Sequence, residues 1–532
     1  MWRSIALLAL LGILAPPAWA QIPPGINEAC DDTVDVDRFR YYRQLSLDLR
    51  GRVPSADELQ TVADAEQIDE ATIDAMLDGP EFETLVRRHH MDLLWPSTEF
   101  LDVINVAVNF LLPAQGYDAV GDPNRLWVIF VGFFQRGGLV PCKDEPAEYD
   151  DNGDLVFEAM PDGTQREGWV MVAPYWAPDT EVKVCAAEAS LVPAATNGAA
   201  CDTWQGMTTG TCGCGPALER CAGIPVVLDI TAALREQLLL MITRPILGDR
   251  PYTELLTTQT EPINGPLVHY YRTLAPLVVD PAIMVPPVAP EDLPDVPYTD
   301  ATWYDRQRTA PVHSGVLTSM SYLLRFQTDR SRANRFYDAF FCSAFVAPPT
   351  GLPSPADPCS QEPNLRERCG CKDCHITLEP AAAAWGRFAN AGTLYLDPEV
   401  YPAYLPRCAA CAQNPDIACD DFCNRFYVSE IGHPKQVPFA GVLKPFEFKT
   451  EDEIARMEAG PSRLVQDGLD NHRLPTCVSQ RLFERLYKRT PTATERRDHL
   501  SRFTAAFEAS DYNFKTLVKT MVTDAAYRRM VR

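Results

Sequence analysis

Apolar residues recur at helical spacing in three stretches of this chain, and each stretch carries its own start and stop signals. In the first, residues 36–95, Asp37 to Leu49 has a helical pattern that Gly51 and Pro54 break. Ser55-Ala56-Asp57-Glu58 then predicts a new helix, with Ser55 as cap and Glu58 three residues later. Ile68 to Leu77 and Glu81 to Leu94 predict two more amphipathic helices, separated by Asp78-Gly79-Pro80. The second stretch, 228–342, has strong apolar periodicity from Ile230 to Ile242 and from Val316 to Phe326. Between these runs, Leu277 to Pro297 is a connector too rich in proline for regular structure. The third, 449–532, predicts helices at Glu451 to Met457, Ser462 to Leu469, Ser479 to Tyr487, Thr494 to Phe507 and Phe514 to Met521.

Residues 100–225 follow a different pattern. Val156-Phe157, Trp169 to Val172 and Val182 to Val184 predict short strands among Gly- and Pro-rich loops. Asp150-Asp151-Asn152-Gly153-Asp154 has the look of a calcium loop, but its glycine is fourth and no glutamate stands twelfth, so a hairpin turn is expected. Cys201, Cys212, Cys214 and Cys221 crowd one Gly-rich segment. Cys408, Cys411, Cys419 and Cys423 form a second group, and Ala412 follows Cys411. Both groups are read as disulfide staples in preference to zinc sites.

Residues 1–20 have the form of an export leader: Arg3, an apolar run from Ile5 to Leu14, and Ala18-Trp19-Ala20 before Gln21. The apolar run is too short to span a bilayer, and no later run supplies a transmembrane segment. The chain is therefore expected in the periplasm or at the cell surface, where most of its 17 cysteines would be oxidised. Its formal net charge of −24 disfavours nucleic acid and anionic membranes and favours a basic partner. No nucleophilic triad, phosphate loop or dinucleotide fingerprint stands at a defensible spacing.

The chemistry-bearing motif is Cys371-Lys372-Asp373-Cys374-His375. Cys-x-x-Cys-His sets two thiols about one helical turn apart, where they can add to the two vinyl groups on one porphyrin edge. The next residue then offers an imidazole to the iron. The competing reading is a disulfide or zinc Cys-x-x-Cys that happens to precede a histidine. On the haem reading, Cys371, Cys374 and His375 hold one covalent haem c per chain, with His375 as proximal ligand and its other ring nitrogen donating to a carbonyl. No methionine lies between Cys374 and Met457, so the sixth ligand is open. His433, in a loop between Gly432 and Pro434, is the nearest downstream imidazole and the distal candidate. Met457, His313 and Met320 are the others, with Met457 better explained as core packing. His89 and His90 are adjacent on a helix and point about 100° apart, which suits a structural role better than chelation. Setting aside the two haem thiols leaves 15 cysteines, an odd number, so one free thiol or an intermolecular bridge is expected.

Several segments, in shared order, resemble the planctomycete-type cytochrome c proteins, exported chains of domains of unknown function around one haem motif. They are Leu47 to Ser55, Leu77 to Phe82, His89 to Leu94, Asp249 to Leu256, Asn264 to Tyr270, His313 to Thr318, Arg489 to Glu495, and Phe514 to Val518 with Ala526 to Arg528. The chain departs from the family pattern after the motif: Leu378-Glu379-Pro380 fits, but Ala381 to Ala384 replace the usual Gly-Phe continuation. The resemblance implies an envelope haem c protein and brings no substrate.

Together these readings predict a mainly α, multi-domain helical protein with a β-containing Cys-rich insert and a small cytochrome c-like haem domain. The expected units are a leader (1–20), a helical domain (21–99), the insert (100–227), a second helical domain (228–342), the haem c region (343–440) and a C-terminal helical domain (441–532). The expected function is electron transfer by a monohaem c-type protein with an unknown redox partner. The alternatives are a peroxidase-like haem oxidoreductase with an open iron position, and a disulfide-stapled surface scaffold or binding protein. Whether it is an enzyme is left open.

Overall fold

The computed structural model describes residues 33–96, 110–113, 126–131, 142–207, 212–277, 292–308, 310–346, 353–390, 392–414 and 416–531. The expected leader (1–20), Cys30 and most of the Pro-rich connector lie outside these residues. Helices dominate and the sheets are small. No helix among the described residues is long and apolar enough to cross a membrane.

The N-terminal helices form where the local signals place them. Arg38–Leu45 continues as a wider turn through Ser46–Arg50 and stops at Gly51, whose φ of 70° suits a residue without a side chain. The next helix, Ala56–Asp64, opens on the expected capping box. Ser55 Oγ accepts from the Glu58 N–H, and Glu58 Oε2 accepts from the Ser55 N–H at 2.7 Å. Glu58 also pairs with Arg52 at 2.8 Å, and Arg52 reaches Glu81 at 2.5 Å, so one ion cluster ties these segments together. Helices Glu70–Asp78 and Glu83–Leu94 follow.

The second stretch holds the longest helix among the described residues, Ile224–Leu247, which begins with proline in its first turn and buries Leu234, Leu238 and Ile242. The single helix expected over Val316 to Phe326 is instead two: a 3-10 turn, Gly315–Thr318, and a helix, Met320–Arg325, capped by Ser319. The break falls at Ser319, whose extended backbone (φ −68°, ψ 150°) separates the two and whose Oγ caps the second. Gly315, at the start of the turn, packs against the chain. Its φ is +46°, and a Cβ there would lie 2.0 Å from the Leu255 carbonyl oxygen. Around it, Ser314 Oγ donates to the Leu256 carbonyl at 2.6 Å and the Ser314 N–H donates to Thr318 Oγ1 at 2.8 Å.

One hydrophobic cluster gathers Leu45, Phe82 and Val86 from the first stretch, Leu238 and Ile242 from the second, Ala382 and Trp385 after the Cys-x-x-Cys-His motif, and Phe483, Phe503 and Leu517 from the third. Polar bonds tie the same parts together. Tyr41 Oη donates to the Val522 carbonyl at 2.9 Å, Tyr527 Oη to Asp48 Oδ2 at 2.7 Å, and Lys515 bridges Asp78 and Asp249. Thr33–Asp35 and Arg529–Val531 pair as an antiparallel two-stranded sheet.

The insert contributes a five-stranded sheet in the order Trp169–Val172, Val182–Cys185, Leu126–Val131, Phe110–Pro113, Ala222–Gly223. Two of the expected strands are in place. The third is displaced: Val156 and Phe157 are exposed, and the strand is Glu158–Ala159. Asp150 makes the anticipated turn, its Oδ1 accepting from the N–H groups of Asn152 and Asp154.

Among the described residues, fourteen cysteines form seven disulfides: Cys142–Cys185, Cys201–Cys212, Cys214–Cys221, Cys342–Cys477, Cys359–Cys369, Cys408–Cys423 and Cys411–Cys419. Both Cys-rich groups are thus pairs of staples.

Candidate functional site

Cys371 and Cys374 are the two free cysteines among the described residues. The 17th cysteine, Cys30, lies outside them. An oxidising compartment pairs neighbouring thiols readily, so a Cys-x-x-Cys left open amid seven closed pairs is chemically distinct from its surroundings.

The motif sits at the start of the helix Lys372–Ala382. The Cys359–Cys369 disulfide and Gly370, at φ 75°, lead the chain into it. The Cys374 N–H donates to the Cys371 carbonyl at 3.2 Å, closing the turn that separates the two thiols. One helix face is buried: Leu378, Ala381 and Ala382, continued by Ala383, Ala384 and Trp385. Ala381 to Ala384 are therefore a packing surface, where small side chains let the helix lie close to Asp329–Phe341. The other face is open. Both thiols are partly exposed, Ile376 is 64 % exposed, and Cys374 Sγ lies 3.5 Å from the carbonyl of Val346, itself 75 % exposed.

His375 points to a carboxylate rather than to the carbonyl expected for it. Its Nδ1 is 2.7 Å from Glu379 Oε1, one helical turn on. Glu379 is almost fully buried and also receives Arg330 Nε at 2.5 Å and Lys449 Nζ at 2.7 Å. Burial by itself would raise the Glu379 carboxyl, but Arg330 and Lys449 outweigh it and bring it down to about 2. At neutral pH Glu379 is thus ionised and can only accept. With Nδ1 donating to Glu379, Nε2 is the ring nitrogen left to ligate a metal. That is the tautomer and orientation a metal-ligating imidazole needs.

Glu379 could have been found from the sequence, since it stands four residues after His375 in a helical run. Arg330 and Lys449 could not, because they come from 49 and 70 residues away.

The distal candidates are dispersed. His433 caps a short 3-10 helix, Pro434–Phe439, and its Nδ1 accepts from the Lys435 N–H at 3.2 Å. Lys435 pairs in turn with Glu362 and Glu367, in the segment leading to the motif. Met457 is fully buried among Phe446, Cys408 and Cys423, and packs so tightly on Gly386 that a Cβ there would lie 2.1 Å from its Cε. His313 and Met320 line a cavity that shares no lining residue with the cleft beside Glu379. His89 and His90 stand in the core, where His90 Nδ1 bonds to the Val86 carbonyl and Nε2 to Tyr252 Oη.

Comparison with family models finds no match to this chain, and comparisons with curated proteins and with solved structures find none either.

Proposed function

We propose that this chain is an exported, monohaem c-type protein that passes single electrons in the cell envelope. The observation that carries the reading is the pair of unoxidised thiols, Cys371 and Cys374, beside a histidine whose Nδ1 is already committed to Glu379. The two thiols would hold the porphyrin edge by thioether bonds, and His375 Nε2 would ligate the iron. A haem so bound supplies one-electron chemistry. Glu379 keeps the His375 ring oriented, while Arg330 and Lys449 keep Glu379 ionised. The open face around Ile376 and Val346 leaves an apolar surface next to the thiols, against which the macrocycle can lie. The leader-like N-terminus and the oxidised cysteines favour a periplasmic or cell-surface location, and the acidic balance favours a basic redox partner.

One observation favours a second reading, a haem oxidoreductase with an open coordination position. A carboxylate partner makes the ligating imidazole more basic than a carbonyl partner would. The sharing of Glu379 with two cations moderates that effect.

The test is a pyridine haemochrome assay on protein exported with haem c maturation machinery. One covalent haem per chain is expected, lost in Cys371→Ala/Cys374→Ala without loss of folding, since both side chains are partly exposed and outside the disulfides. Absence of covalent haem in the parent would refute both readings and leave a disulfide-stapled scaffold. Carbon monoxide binding to the reduced parent would separate them, because it favours the open-position reading.

A further inference from the structure

A second cavity, sharing no lining residue with the cleft beside Glu379, has a volume of about 700 Å³, the size of a site for a small organic molecule. It takes walls from the two-stranded sheet Thr260–Ile263 with Tyr304–Gln307, from the turn at His313, and from the segment Phe388 to Tyr401. Its deep end is charged. Arg306 and Arg308 both face Glu261, whose side chain is 3 % exposed. Arg306 Nη2 is 2.6 Å from Glu261 Oε1, while Arg308 Nε is 3.7 Å from Oε2, beyond hydrogen-bond reach. Two guanidiniums thus meet one carboxylate. The remaining acids of the wall, Asp292 and Asp397, are an exposed residue and a half-buried one whose Oδ1 accepts from the Glu399 N–H.

The guanidiniums are built in and not fully used. Arg308, 2 % exposed, donates through Nη1 to Thr318 Oγ1 and through Nη2 to the carbonyls of Thr258 and Gly315. Arg306, 10 % exposed, lies over the Tyr271 ring with Cζ 5.1 Å from its centroid. The Nε groups of both arginines and Nδ1 of His313 are buried and make no hydrogen bond within the protein. Buried guanidinium N–H groups without acceptors are costly, and native structures ordinarily supply a partner. The body of the cavity is aromatic and apolar. His313 lies with Phe388 and Tyr395 at ring separations of 6.1 and 6.4 Å, and Met320 and Leu323 close another side. Burial, with Arg308 and Arg306 nearby, lowers His313 to about 3, so its ring is neutral and presents a flat face.

We propose that this cavity binds a small aromatic carboxylate, its anionic group taken up by Arg306 and Arg308 and its ring held among His313, Phe388 and Tyr395. A monoanion balances the excess guanidinium, and a planar carboxylate matches the donor geometry of arginine.

Calorimetric titration of the oxidised full chain with benzoate, phenylacetate and the neutral isostere benzamide tests this. Saturable binding of at least one carboxylate is expected, with benzamide weaker by about tenfold or more, because a site built for an anion rejects the analogue lacking it. Arg308 supports two backbone carbonyls, and its removal could unfold the turn. The informative variant is therefore Arg306→Gln, expected to weaken benzoate by about tenfold and to leave benzamide unchanged. Met320→Trp, which fills the cavity from an apolar wall, is expected to abolish both. The proposal is overturned if neither carboxylate binds at about 10 mM, a level that would reveal even millimolar affinity. Equal binding of benzoate and benzamide, or unchanged benzoate affinity in Arg306→Gln, would overturn it as well.

Discussion

Glu379 carries the local structure of the motif, and the cost of removing its charge can be worked out from its partners. In Glu379→Gln, Arg330 loses a partner but is 40 % exposed, so water replaces the contact at a cost of about 1 kcal/mol or less. Lys449 has no such recourse. It is 5 % exposed, and its ammonium would stay buried without a counter-charge, at about 3–5 kcal/mol. The carboxyl itself gives a similar figure. Bringing it from its ordinary 4.5 to about 2 corresponds to about 3 kcal/mol of stability at neutral pH. The folded value is the lower one, so the unfolded chain binds the proton more readily. The contribution is therefore complete above about pH 4.5 and is lost as pH falls toward 2. Urea unfolding of the oxidised protein, followed by tryptophan fluorescence, measures it. Glu379→Gln should lose about 3 kcal/mol at pH 7, and the gap from the parent should shrink by more than half by about pH 3. Glu379→Gln/Lys449→Met should recover most of the loss, because it removes both buried charges together. A single variant within about 0.5 kcal/mol of the parent at pH 7, or a gap independent of pH, would refute the reasoning.

Two further predictions concern the core. Cys342–Cys477 joins the helices Asp329–Phe341 and Arg473–Tyr487 across 135 residues, and closing a loop of that length in the unfolded chain corresponds to about 5 kcal/mol. Cys342→Ser/Cys477→Ser should therefore unfold at a clearly lower temperature by calorimetry, and an unchanged transition would contradict the estimate. His90 is fully buried, and desolvation lowers it to about 4, so the folded protein holds it neutral. The stability tied to that neutrality is complete above about pH 6.5 and is lost toward pH 4, amounting to about 3 kcal/mol. An NMR titration of the folded protein showing His90 protonating near 6.5 would exclude it.

Local chemistry made much of this legible. The Ser55 and Glu58 capping box, the Asp150 turn and the two groups of cysteine staples depend on residues close in sequence, and each is where its spacing placed it. Periodicity alone did not reveal the break at Ser319, because an apolar pattern runs through a residue whose backbone turns extended and whose side chain caps the next helix. The Val156-Phe157 strand failed because neither side chain finds anything to cover it. Within the site, the thiols and the imidazole are contiguous and were plain to read. The carboxylate behind the imidazole needed the helix, and the cations behind the carboxylate needed the fold.

The antiparallel pairing of Thr33–Asp35 with Arg529–Val531 has a kinetic consequence. Helices 38–94 bury their apolar faces partly against residues 500–527, with Tyr41 bonded to a carbonyl 481 positions away. During vectorial synthesis, the first helices emerge with their partners still missing. They cannot be locked in place until residues 500–531 arrive. Folding should thus be slow and late, governed by closure of one very long loop, and the waiting N-terminal segment is where a holding chaperone would do most good.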